Sequence, residues 1–186
     1  MTESPVPVVG FAGYSDSGKT TLAVRVVACL RRRGRRVAVV KHDAHGHYRE
    51  APGTDSARYI EEADADAVVV VSPGRTVRME KTRSDASGLS RELEKLSGYD
   101  LIVVEGFKTD SHPKIVVVRT TGQAEAIDAS APPVIAVAAK KGERLPESAA
   151  RHGSVPMLDI DDPESVAAFI ERYFFEYSGG GRHKLK

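Results

Sequence analysis

The sequence contains a single cysteine, Cys29. That excludes an intrachain disulfide framework and suits a reducing compartment. Inside a helical pattern a lone thiol reads as buried and structural. Neither sign of charge predominates, since 27 Lys and Arg face 26 Asp and Glu. A global field that would gather nucleic acid is therefore missing. No apolar run approaches the roughly 18 residues that a membrane span requires. Met1-Thr2-Glu3-Ser4-Pro5 has no basic region ahead of an apolar stretch, so no signal peptide is expected. The expectation is a cytoplasmic protein. With 186 residues, 41% of them hydrophobic, the chain can bury the core of one domain.

Val8-Val9-Gly10-Phe11-Ala12 is an apolar run without alternation, as in a strand covered on both faces. A helical pattern follows over Thr20 to Arg32, with Leu22, Val26, Val27 and Leu30 on one stripe and Gly34 as its stop. Val37-Ala38-Val39-Val40 supplies a second strand, which completes a βαβ unit. Residues 43–56 read as a polar loop and Ser56–Glu62 as a short helix. Residues 67–71 read as a third strand, Arg75–Arg83 as an edge strand and Ala86–Leu96 as a helix striped by Leu89, Leu93 and Leu96. Leu101–Val104, Ile115–Val118 and Val134–Ala138 are three more strands. A last helix begins at Asp162-Pro163 and carries Val166, Phe169, Ile170, Tyr173 and Phe174. Residues 1–177 read as a single nucleotide-binding domain, and 178–186 as a flexible basic tail.

Gly13-Tyr14-Ser15-Asp16-Ser17-Gly18-Lys19-Thr20 matches G-x-x-x-x-G-K-[ST], between the strand and the helix that the pattern needs. Glycines let the backbone curl until several N–H groups face one phosphate. The helix N-terminus adds unpaired N–H groups and its dipole. Gly13, Ser15, Asp16, Ser17, Gly18, Lys19, Thr20 and Thr21 are thus the candidate phosphate cradle. Lys19 is suited to the β- and γ-phosphates, and Thr20 to a bound Mg²⁺. The fold class expected is α/β, a P-loop NTPase: a three-layer sandwich around a mostly parallel sheet. Tyr14 replaces the second lysine of the ATPases that dimerise around nucleotide, which argues against that branch.

Such sites also need a carboxylate at a neighbouring strand end to orient Mg²⁺. Glu105 ends an apolar strand on the expected ligand edge, and Gly106 after it permits close backbone approach. Asp55 is a second candidate for the Mg²⁺ shell; the competing reading makes it the cap of the helix from Ser56. Catalysis is assigned to Lys19, Thr20 and Glu105, and the metal to Thr20, Asp55 and Glu105. Lys41 leaves its strand on the same edge, where it can meet ligand phosphate. His42, His45 and His47 favour contact with substrate or phosphate over a zinc site, since no paired cysteine or helical His pair supports zinc. The run Arg31-Arg32-Arg33-Gly34-Arg35-Arg36 reads as a solvated helix end, with a dock for an acidic partner or a phosphorylated cofactor as the alternative.

Four blocks together resemble one family. They are Gly13 to Leu22; Val39-Val40-Lys41-His42 with His45; Pro52-Gly53-Thr54-Asp55-Ser56; and Val104-Glu105-Gly106-Phe107-Lys108. In order and spacing they are similar to the MobB family, small GTP-binding accessory proteins of molybdopterin guanine dinucleotide biosynthesis, over roughly residues 6–120. The resemblance implies a homodimer that binds GTP with Mg²⁺ and hydrolyses it weakly. It implies a partner too, the guanylyltransferase that joins GMP to the molybdenum–pterin cofactor, with contact to the cofactor itself as a further possibility. It also places Lys108 beside an anionic ligand. Two departures stand out: Thr54 where the family usually has lysine, and Ala63-Asp64-Ala65-Asp66-Ala67 before the third strand. Ala138-Ala139-Lys140-Lys141-Gly142 lacks the N-K-x-D arrangement that grips guanine, and Glu143 is the nearest substitute.

Two other functions stay open on sequence. One is an ATP-dependent small-molecule ligase or kinase similar to dethiobiotin synthetase. The other is a metal-delivery GTPase, although the paired Cys-Pro-His site typical of those proteins is missing.

Overall fold

A computed structural model describes residues 6–43, 46, 48, 50–81, 88–142 and 155–176. The chain divides into two compact units, Met1–His42 with Leu89–Lys186, and Asp43–Gly88.

The larger unit is built on six parallel strands: β1 (Val8–Ala12), β2 (Val37–Lys41), β5 (Leu101–Glu105), β6 (Lys114–Val118), β7 (Val134–Ala139) and β8 (Met157–Asp159). Their order across the sheet is β2-β5-β1-β6-β7-β8. Every residue of β5, β6 and β7 is buried, because both faces of these strands are covered. On one face Val9, Phe11, Leu101, Val103, Ile115 and Val117 pack against α1 (Lys19–Arg32) and α5 (Pro163–Glu171) through Leu22, Val26, Leu30, Val166 and Ile170. On the other, Ile102 and Val104 meet Leu89, Leu93 and Leu96 of α3 (Leu89–Glu94) and its end. There too, Val116, Val118 and Val137 meet Ile127 of the short α4 (Glu125–Asp128). The chain is thus an α/β three-layer sandwich, as the apolar runs predict. No helix among the described residues is long and apolar enough to cross a membrane.

The basic run at the end of α1 is largely exposed, as read, and several of its arginines are also engaged within the chain. Arg32 and Arg33 pair with Glu164 at 2.6 and 2.7 Å, and Arg33 and Arg35 with Glu171 at 2.9 and 3.0 Å. These contacts tie the end of α1 to α5, and Arg35 also lies 4.1 Å from the Phe175 ring. The start of α5 is as read: Asp162 accepts from the Ser165 N–H at 3.1 Å, and Pro163 opens the helix.

The smaller unit holds α2 (Asp55–Glu61) and an antiparallel hairpin of β3 (Ala67–Ser72) and β4 (Arg75–Glu80). Here the structure corrects the sequence reading. Residues 67–71 read as a third strand of the mostly parallel sheet, yet β3 pairs with β4 in a sheet of its own, and Val71 is 76% exposed. An apolar run records β-propensity, and cannot say whether other layers arrive to cover it. β8 and α4 escape the sequence reading altogether, being only three and four residues long.

Candidate functional site

Strand β1 delivers the chain to Gly13, whose φ is +154°. A Cβ there would lie 2.6 Å from the Val117 carbonyl and 2.7 Å from the Ser17 hydroxyl, so only glycine fits. Asp16 and Gly18 take left-handed φ values of +60° and +85° as the loop wraps round, and Gly18 caps α1 without a side-chain bond. No acidic residue occupies the first turn of α1, so its positive end is uncompensated within the helix. The Lys19 ammonium lies across the loop and donates to the Tyr14 carbonyl at 3.1 Å. Ser17 is fully buried, and among the described residues its hydroxyl has no hydrogen-bond partner. Ser15, Asp16, Thr20 and Thr21 are exposed. A left-handed glycine loop leading into a helix N-terminus, with a lysine, a hydroxyl and no acid in the first turn, is chemistry for a phosphate chain.

The parallel register places Glu105 beside Phe11 on one neighbour and Lys41 on the other. Its side chain is almost wholly covered, and Oε1 accepts from the Thr20 hydroxyl at 2.5 Å and the Lys41 ammonium at 2.6 Å. Thr20, Lys41 and Glu105, each read separately from the sequence as a site residue, therefore meet in one cluster. A hydroxyl and a carboxylate next to a phosphate cradle are hard oxygen donors of the type Mg²⁺ takes, and the residues fit that ion.

After Glu105 the chain turns sharply. Gly106 has φ +93° and Phe107 +46°, and the Gly106 N–H donates to the Phe11 carbonyl at 3.0 Å. His42 donates its N–H to the Glu105 carbonyl at 2.8 Å, and its ring stacks on Phe107 with centroids 4.3 Å apart. Lys108 reaches back to the phosphate loop, its ammonium 5.2 Å from the Tyr14 ring. Gln123 braces the loop's other side, donating to the Ser15 carbonyl at 3.4 Å while accepting from the Arg119 N–H at 3.0 Å.

Two buried groups were missed by sequence reasoning. Lys114 is fully buried within β6, and its ammonium donates to the carbonyls of Asp110, His112 and Ala131 at 2.7, 2.9 and 2.7 Å. Those carbonyls stand on the connection from Glu105 to β6 and on the turn before β7, so one cation pins both segments. Burial lowers its pKa from the ordinary lysine value. His112 packs on Gly10, where a Cβ would fall 2.4 Å from Nε2. Burial, with the nearby Lys114 charge, lowers its pKa to about 4. A Lys standing at the head of the apolar Ile115–Val118 run was the available signal.

Asp55 belongs to the smaller unit and is the first residue of α2. The cap of that helix is Thr54, whose hydroxyl accepts from the Ala57 N–H at 3.2 Å, so the competing reading of Asp55 as the cap is off by one residue. His45, His47, Glu143 and the tail lie outside the described residues. Among the described residues no three His, Cys, Asp or Glu side chains gather into a set that would hold a metal.

A family model described as molybdopterin guanine dinucleotide synthesis protein B matches residues 8–140. The chain is 32% identical over 178 residues to a molybdopterin-guanine dinucleotide biosynthesis adapter protein of Haemophilus influenzae, covering 94% of this chain and 93% of that one. With the Escherichia coli adapter protein it shares 32% over 182 residues, 94% of this chain and 97% of the relative. It is also similar to the crystal structure of Bacillus subtilis MobB, with a TM-score of 0.67 and 27% identity over 89% of this chain and 97% of that one.

Proposed function

Since the chain belongs to the MobB family of molybdopterin guanine dinucleotide synthesis proteins, we propose that it is a GTP-binding accessory protein that assists guanylylation of the molybdenum–pterin cofactor. The observation that carries this reading at the site is the Thr20 hydroxyl bonded to the covered Glu105 carboxylate, beside an intact phosphate loop. Lys19 gives up the Tyr14 carbonyl for nucleotide phosphate. Gly13, Ser15, Asp16, Ser17, Gly18 and Thr21 complete the cradle with backbone N–H groups and hydroxyls. Thr20 and Glu105 would hold Mg²⁺, which when bound would neutralise charge on the phosphates. Lys41 and Lys108 give the same edge a positive rim for an anionic ligand.

Hydrolysis is a slow side of this function. Among the described residues of the site no general base for an attacking water is recognised. A partner that completes the site would then set the rate. By the same family reading the protein works as a homodimer, with the guanylyltransferase as its partner and the pterin cofactor as a possible direct contact.

The test is a reconstitution. Guanylylated cofactor is measured at limiting GTP with the transferase alone, with this protein, and with its Lys19→Ala variant. Stimulation by wild type that disappears in Lys19→Ala is expected. No stimulation at any GTP concentration, with no binding to transferase or cofactor, would reduce the reading to generic nucleotide binding.

A further inference from the structure

Glu105 Oε1 receives two donors at once, the Thr20 hydroxyl at 2.5 Å and the Lys41 ammonium at 2.6 Å. The carboxylate side chain is only 7% exposed, whereas that of Lys41 is 57% exposed. A buried carboxylate with no positive partner is strongly disfavoured. The chain therefore carries its own cation, on the last residue of an edge strand, where the long stem swings with little loss of packing.

The proposed function, on which this inference rests, gives the same hydroxyl and carboxylate to a divalent cation. An ammonium and a divalent ion held against one carboxylate oxygen repel each other. We propose that Lys41 is a resident counter-ion of the metal carboxylate, displaced when a divalent cation arrives with nucleotide phosphate. Lys41 is thereby a positioning residue. It keeps Glu105 aimed at Thr20, and it sets how tightly the site takes its cation. On release it brings a positive charge to the open edge of β2, where a phosphate of the nucleotide or of a second ligand can meet it.

The account makes an unusual demand: removing this lysine should strengthen metal binding. Mn²⁺ is titrated into the GDP-bound protein and followed by the loss of its free-ion electron paramagnetic resonance signal, for wild type, Lys41→Gln and Lys41→Arg. Lys41→Gln should bind Mn²⁺ about tenfold more tightly than wild type, an advantage that shrinks in high salt. Lys41→Arg, which keeps the charge, should stay within about threefold of wild type. Thermal unfolding checks that all three are folded, and Lys41→Met serves as a second neutral variant. Equal or weaker Mn²⁺ binding by both neutral variants overturns the counter-ion role while leaving nucleotide binding intact. A wild-type protein that binds neither GDP nor GTP overturns the phosphate-site reading itself, and this inference with it.

Discussion

A Cβ on Gly106 would lie 2.8 Å from the Cβ of His42. Gly106 also has φ +93°, in the region that side chains rarely adopt. Close approach and backbone conformation thus both require glycine, at the corner where Glu105 leaves the sheet. Gly106→Ala should cost about 1–3 kcal/mol of stability. By shifting the stack of His42 on Phe107, it should also weaken nucleotide binding. Urea unfolding and a GTP titration check the two effects, and a variant normal in both would mean that the corner relaxes freely.

Lys114 donates to three carbonyls from the interior of β6, those of Asp110, His112 and Ala131. Lys114→Met keeps the stem and removes the ammonium. We expect a loss of about 1–3 kcal/mol, the range for hydrogen-bonding groups left without their partner. Denaturant midpoints for the two proteins measure it. A loss below about 1 kcal/mol would show that the carbonyls find other partners.

His112 gives the fold a pH dependence of known sign. Its folded pKa is about 4 against an ordinary 6.5. The unfolded chain therefore binds the proton first as pH falls. The stability held by neutral His112 is complete above about pH 6.5 and drains away as pH falls toward about 4. Lys114 opposes protonation and Asp110 favours it, but desolvation is the largest cause. His112→Leu cannot take up that proton, so its unfolding free energy should vary less with pH across this window. Parallel curves for the two proteins would contradict the assignment.

The phosphate loop, the strand-end Glu105 and the nearby Lys41 were legible in the sequence because each depends on local order: strand, turn and helix, or an apolar run closed by a charged residue. The role of Tyr14 was not, since it depends on Lys108 arriving from a distant connection. Lys114 was passed over because lysine in a buried strand breaks the composition rule that reads strands at all. The placement of β3 was misjudged because Val68–Val71 has the composition of a central strand, while the Pro73-Gly74 turn returns it as a hairpin. The loop with His45 and His47 lies outside the described residues, so its reading stays that of the sequence.

The central claim is that residues 13–20 hold nucleotide phosphate, with Thr20 and Glu105 taking its metal. It is tested most directly by calorimetric titration of wild type and Lys19→Ala with GTP, GDP and ATP, in Mg²⁺ and again in EDTA. Wild type should bind GTP more tightly than ATP and lose affinity in EDTA. Lys19→Ala, still folded by circular dichroism, should bind at least tenfold more weakly, because a charge-assisted contact to phosphate contributes at least about 1.4 kcal/mol. Equal affinity in Lys19→Ala and wild type, unaffected by EDTA, would contradict the account.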